Sequence, residues 1–213
     1  MDERTTGLIL RTRLLTETSL IVQWLTPEFG RLATVAKGAR RPQSPFRGKL
    51  DLFYLADFSF ARSRRSELHL LREASLRDTH PALRENLAYL EQASYCVTLI
   101  EQTTEAETPL PEIFYLLTGL LQHLPKGPAQ PLTVFAFELK LLAELGLSPQ
   151  IQATRLREGS RQILAKLTQL DWPALSCLRP APVQSLELDR FLRSFLAYHL
   201  GKIPRGRDRA TAG

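Results

Sequence analysis

Histidines, cysteines and clustered carboxylates are the residues of this chain that could hold a metal or move a proton, and their spacing decides little in favour of catalysis. His69, His80, His123 and His199 are scattered, and none belongs to a recognisable metal-binding motif, so each reads as a surface or half-buried residue. Cys96 and Cys177 lie far apart and neither forms a C-x-x-C pair. Cys96 sits in an apolar helical pattern, where a thiol serves as a small hydrophobe. Gly48-Lys49 invites comparison with a phosphate-binding P-loop. Leu50 follows where Ser or Thr is needed, however, and Gln43 stands in place of the first glycine. Glu101, Glu105 and Glu112 read as a solvated helical face. The inventory points to no enzyme, no metal and no cofactor.

A different chemistry is concentrated in VAKGARRPQSPFRGKL, residues 35–50. Lys37, Arg40, Arg41, Arg47 and Lys49 place five cations close together with no acid between them. Gly38, Pro42, Pro45 and Gly48 interrupt the run, which excludes a charged helix face. Cations held on a loop repel one another unless a polyanion arrives. Phe46 stands among them as a candidate ring for base stacking, and Arg62, Arg64 and Arg65 form a second cluster. A third basic group closes the chain: Arg190, Arg193, Lys202 and Arg205, with Arg207 and Arg209 beyond. It reads as a second DNA contact or a dock for an acidic peptide. The final IPRGRDRATAG is expected to fray.

These residues need a scaffold, and 213 residues suffice for one large or two small domains. The net charge of +6 is segregated: residues 1–78 carry +5, 79–150 carry −5 and 151–213 carry +6. Separate surfaces for separate partners follow from that division. No apolar run approaches the roughly 18–20 residues of a membrane span, and MDERTTGLIL has no signal-peptide core, so a cytoplasmic protein is expected.

The first 75 residues break at strand spacing into GLILRTRLL, SLIVQWLT, GRLATVAKG, LDLFYLADFSFA and SELHLLREA, separated by turn residues. In the fourth, Leu50, Leu52, Tyr54, Ala56, Phe58 and Phe60 should share one face. Trp24 falls in a strand pattern and reads as core. Beyond His80-Pro81 the period becomes helical: Leu83, Leu87, Leu90, Val97 and Ile100 form one stripe, and Phe135, Leu139, Leu142 and Leu145 another. Further helices are expected at 110–124, 161–170 and 183–200, the last with Phe191, Phe195 and Tyr198 in the core. The fold class is therefore α+β: a five-stranded OB-type β-barrel over 1–79, then a helical domain over 80–213.

The run TPEFGRLATVAKGARRPQSPFRGKLDLF resembles the signature region of the RecO family, bacterial recombination mediators and DNA repair proteins. FELKLLAELGLSP at 137–149 is similar to the family's helix ending in Leu-Gly, and RFLRSFLAYHLGK at 190–202 to its C-terminal helix. The likeness runs from Gly7 to about Gly146 and resumes in that last helix. It implies an OB fold with a helical domain, binding of single- and double-stranded DNA, and annealing of complementary strands. RecR and the acidic tail of single-strand binding protein are implied partners, with RecA loaded indirectly at gaps, in the bacterial cytoplasm at the nucleoid. Many members carry a four-cysteine zinc site after the Leu-Gly helix end. Here the variable segment 147–160 contains SPQIQATRLREGS and no cysteine, so zinc is not expected. The rivals are an RNA-binding OB protein and a protein-docking scaffold without nucleic-acid activity. A metal-dependent nuclease would need a carboxylate cluster that the spacing does not offer.

Overall fold

The computed structural model describes residues 2–212. Five strands come first: β1 Asp2–Leu14, β2 Leu20–Thr26, β3 Gly30–Ala36, β4 Leu55–Ala61 and β5 Leu68–Asp78. They close into a barrel in the order β1-β2-β3-β5-β4. All pairings are antiparallel except β3 with β5, where Ala33–Val35 lie beside Leu68–Leu70. This short parallel contact is what closes the sheet on itself. Alternate residues of each strand fill the interior, where the Trp24 ring stacks on Phe58 at 4.0 Å between centroids. Trp24 is fully buried, and its indole N–H donates to Thr34 Oγ1 at 2.9 Å.

Ala56, Phe58 and Phe60 point inward as the alternation predicts, but Leu50 to Tyr54 are not strand. Asp51 opens a turn, accepting from the Leu52 N–H with its side chain and from the Tyr54 N–H with its carbonyl. Phe53 then takes φ +64° and buries its ring. Its N–H donates to Ile9 O beside a bulge in β1, so this turn stands in for a strand end.

Among the described residues eight α-helices follow: α1 Ala82–Glu85, α2 Leu87–Thr103, α3 Pro111–His123, α4 Pro131–Glu144, α5 Glu158–Gln169, α6 Trp172–Leu175, α7 Pro182–Leu200 and α8 Arg207–Ala210. The predicted first stripe is split. Leu83 is buried in α1, whereas Leu87 begins α2 and is 69% exposed. Helix α4 is central and packs against α2, α5 and α7. Its Phe135 and Leu139 share a core with Leu164 and Leu167 of α5 and Leu188 and Leu192 of α7. Pro131 starts α4, and Gly146 with φ +74° lies just past its end.

The chain forms two compact units that differ from the expected 1–79 and 80–213. The barrel unit runs to Pro81 and takes in Thr104–Tyr115; the helical unit comprises Ala82–Thr103 and the chain from Leu116. The added segment is tied to β3 through Arg31, whose guanidinium donates to Thr104 Oγ1 at 2.8 Å and whose carbonyl accepts from the Glu107 N–H at 2.7 Å. Gly30, at φ +63°, lies under this segment: a Cβ there would meet the Thr108 carbonyl oxygen. Among the described residues no helix is long and apolar enough to cross a membrane.

Candidate nucleic-acid interface

The β3–β4 connection, residues 37–54, is folded by a succession of turns. Backbone N–H groups of Arg41, Ser44, Arg47 and Lys49 each donate to a carbonyl three residues earlier, at 3.0–3.1 Å. Gly38 and Gly48 adopt φ +66° and +71°, which lets the chain reverse at those points. The loop is pinned to the β1–β2 turn. There the Arg40 N–H donates to Thr18 O at 3.0 Å and its guanidinium to Glu17 O at 2.9 Å.

Phe46 anchors the loop from the other side. It is only 7% exposed and packs in the barrel core with Ile9 and Phe58, so its ring is not free to stack on a base. The apolar side chain buried beneath the loop fixes the cations around it. Lys37, Arg40, Arg41 and Arg47 are exposed and Lys49 is half-buried. Among the described residues no carboxylate pairs with any of the five. Arg40 Nη1 and Arg47 Nη1 reach only backbone carbonyls, which leaves the positive charge uncompensated.

Lys49 lies with Arg4 and Arg72 along a groove of about 740 Å³ that also holds Thr5, Asp57 and Glu73. Arg4 and Arg72 were not singled out by sequence, because outward cations on strands look like ordinary solvated positions. Their ion pairs, Arg4 with Glu73 at 3.8 Å and Arg72 with Asp2 at 3.7 Å, are long and exposed.

The second predicted cluster is not continuous with the first. Strand register sets Ala36 beside Leu20 at one end of the barrel and Ala61 beside Asp2 at the other. Loop 62–67 therefore leaves the end opposite to the one where Lys37 begins the basic loop. Arg62 is also occupied: it donates to Glu3 at 2.8 Å and to Glu107 at 2.6 Å. Hydrogen bonding from Arg62 holds the Glu3 carboxyl below its ordinary range. The Ser63 N–H donates to His69 Nδ1, which leaves His69 Nε2–H to donate to Glu107 at 3.0 Å. Arg62 is thus a clamp between the strand ends and Thr104–Tyr115. Arg64 and Arg65 remain exposed on the loop.

In the third basic group Arg193 is paired with Asp208 at 2.6 Å and Asp189 at 3.8 Å, while Arg190, Lys202 and Arg205 are exposed. The final segment, expected to fray, is instead held in place over Arg207–Ala210. Arg207 is buried against Glu138 and Asp189, and Gln92 Nε2 donates to Ala210 O. Three of the four histidines, His69, His80 and His123, are buried rather than superficial. Cys96 is fully buried, and that burial pushes its thiol well up.

The segment corresponding to the family's zinc site forms a 3₁₀ turn at Ile151–Ala153 and the start of α5, without a cysteine. Among the described residues no three His, Cys, Asp or Glu side chains gather as a metal site. The residues present do not suit a four-thiolate zinc ion.

The comparisons with known proteins agree with this architecture. Residues 1–80 match the family described as Recombination protein O N terminal, and residues 84–155 match Recombination protein O C terminal. The DNA repair protein RecO of Bacillus pumilus is 30% identical over 201 residues, covering 92% of this chain and 78% of that relative. The chain belongs to the RecO family. Proteins of the same name from Exiguobacterium sibiricum and Myxococcus xanthus are 30% and 33% identical over 71% and 68% of this chain. Those two matches span only 60% and 59% of the relatives' own lengths. The RecO-family match at 1–80 coincides with the barrel that carries the basic loop.

Proposed function

We propose that this chain is a recombination mediator in DNA repair. It binds single- and double-stranded DNA through the β3–β4 loop and anneals complementary strands. In the bacterial cytoplasm, at the nucleoid, it works with RecR and the acidic tail of single-strand binding protein to help load RecA onto gaps. The observation that carries this reading is a loop held in place by Phe46 and its turns, with four exposed cations that no carboxylate among the described residues neutralises. Membership of a family whose curated relatives are named DNA repair protein supports it.

The mechanism is electrostatic and needs no bond cleavage. Phosphates on two complementary strands repel one another. Lys37, Arg40, Arg41 and Arg47 neutralise backbone charge and release counterions, leaving base edges free to pair. Contacts of this kind recognise backbone charge and shape, so binding is general.

The test is anisotropy of a labelled oligonucleotide over a salt series, with annealing followed in the same samples. About three to five phosphate contacts give a slope of log affinity against log salt of about −2 to −3.5. The variant Arg40→Glu/Arg41→Glu should lose most of this binding and flatten the slope. Unchanged binding in that variant would remove the loop from the interface. Preference for an RNA oligonucleotide would favour an RNA-binding barrel, and no binding at all a docking scaffold.

A further inference from the structure

Helix α7 carries a side chain that core packing does not explain. Leu188, Leu192 and Leu196 form its buried stripe. Tyr198, by contrast, is 84% exposed, against the expectation that it packs inside. It is not isolated. The Tyr198 ring meets His199 edge-on at 5.0 Å, His199 lies 4.4 Å from Phe195, and Phe195 stacks on Phe191 at 5.8 Å. At about 100° per residue, Phe191 and Tyr198 are separated by only about 20° around the helix. The half-buried phenylalanines thus support one side of a ladder whose outermost ring stands in solvent.

Cations flank this ladder. Arg190 is two turns before Tyr198 on the exposed side of α7, and Lys202 follows the left-handed cap at Gly201. Arg205 lies three residues further on. Among the described residues none of the three is in an ion pair, whereas neighbouring Arg193 and Arg207 are taken up by Asp189, Asp208 and Glu138. Asp189, Asp208 and Glu138 are spent on the two arginines that hold the fold, and Glu187 accepts from Ser160 and from the Arg157 N–H, so among the described residues the three cations beside the exposed ring have no carboxylate in an ion pair.

A flat exposed ring selects for a flat partner, and uncompensated cations at both ends of it select for repeated anions. Single-stranded nucleic acid offers both together. A duplex hides its base faces, and an acidic peptide satisfies the cations without needing an open ring. We propose that this face of α7 is a stacking site for single-stranded nucleic acid: Tyr198 takes an unpaired base, and Arg190, Lys202 and Arg205 take the flanking phosphates. The site rests on the nucleic-acid reading above and adds to it a second contact on the other compact unit.

The full chain is tested as wild type, Tyr198→Ala, Tyr198→Phe and Arg190→Glu/Lys202→Glu, alongside Arg40→Glu/Arg41→Glu. The probes are a labelled oligothymidylate, an abasic oligomer with the same number of phosphates, and the oligothymidylate with 5-iododeoxyuridine for photo-crosslinking. Tyr198→Ala should weaken oligothymidylate binding about fivefold to a hundredfold, the range of one stacked base. It should leave the abasic oligomer unaffected, and Tyr198→Phe should bind as wild type. The photo-crosslink should map to Tyr198. Arg190→Glu/Lys202→Glu should weaken both oligomers. Because Tyr198 is exposed, its replacement does not threaten folding.

Wild-type affinity in Tyr198→Ala overturns the site, as does equal loss for both oligomers. Loss in Tyr198→Ala with Arg40→Glu/Arg41→Glu unchanged overturns the barrel reading and leaves the helical site standing. The reverse pattern overturns the helical site alone.

Discussion

Arg207 and Arg40 are the same residue type put to opposite uses, and their surroundings explain why. Arg207 is 1% exposed; its Nε donates to Glu138 Oε1 at 2.7 Å and its Nη2 to Oε2 at 3.1 Å, while Nη1 reaches Asp189. Tyr95 donates its hydroxyl to the same Glu138 oxygen at 2.6 Å. Burial pushes the Tyr95 phenol far above its ordinary range, so it stays a donor. Removing one partner of such a cluster strands a charge out of water. Arg207→Met is expected to cost about 3–5 kcal/mol, and Glu138→Gln in the same chain should recover part of it by removing the stranded charge. Urea denaturation of the two variants measures both effects. Loss below about 1 kcal/mol in Arg207→Met would mean that the cluster is not holding the final segment. Arg40, in contrast, finds only carbonyls for its donors, and its replacement should change binding far more than stability.

At the scale of elements, the clamp at Arg62 makes the converse prediction. Arg62 joins β1 through Glu3 and the Thr104–Tyr115 segment through Glu107. Glu3 has its acidity raised by that contact, so its contribution is fully present above the ordinary carboxylate value of about 4.3. It is lost as pH falls through the lower folded value. The side chains of both partners are about a third exposed, so solvent screening keeps the effect at or below about 1 kcal/mol. Thermal melts from pH 6 to pH 3 should show this loss in the wild type, and Glu3→Gln should remove that component. An unchanged acid slope in Glu3→Gln would take Glu3 out of the clamp. This contact also marks where sequence ran out. The strands were legible because Val, Phe and Leu alternate between turn residues, and the barrel class followed. Arg62 looked like part of a free cluster because its partners lie 59 and 45 residues away. Phe46 looked like an exposed ring because nothing local shows that a loop folds back into the core. Tyr198 looked buried because a helical stripe records apolar type, and tyrosine serves on either face.

For the whole molecule, segregation of charge acquires a reason once the acidic middle is followed residue by residue. Glu107 is taken up by Arg62 and His69, and Glu138 by Arg207 and Tyr95, so part of that negative charge is spent inside each unit. Lys37, Arg40, Arg41 and Arg47 of the loop, and Arg190, Lys202 and Arg205 of the helical unit, keep their positive charge facing solvent. One chain therefore presents two cationic surfaces on two compact units. If both surfaces bind DNA as proposed, a molecule that holds one strand by the loop would offer the second surface to another strand and so raise the effective concentration of one strand near the other. Such bridging has a concentration signature. Sparse protein leaves most strands unbridged, while a large excess coats every strand with its own copy and leaves no free strand for the second surface to capture. Annealing of two complementary oligonucleotides, followed by quenching of a paired dye, should therefore rise and then fall as protein is added. Tyr198→Ala should lower that maximum while the barrel loop still binds single strands. A rate that climbs to a plateau and stays there at high excess would show that charge neutralisation on separate strands suffices, and that the two surfaces do not act together.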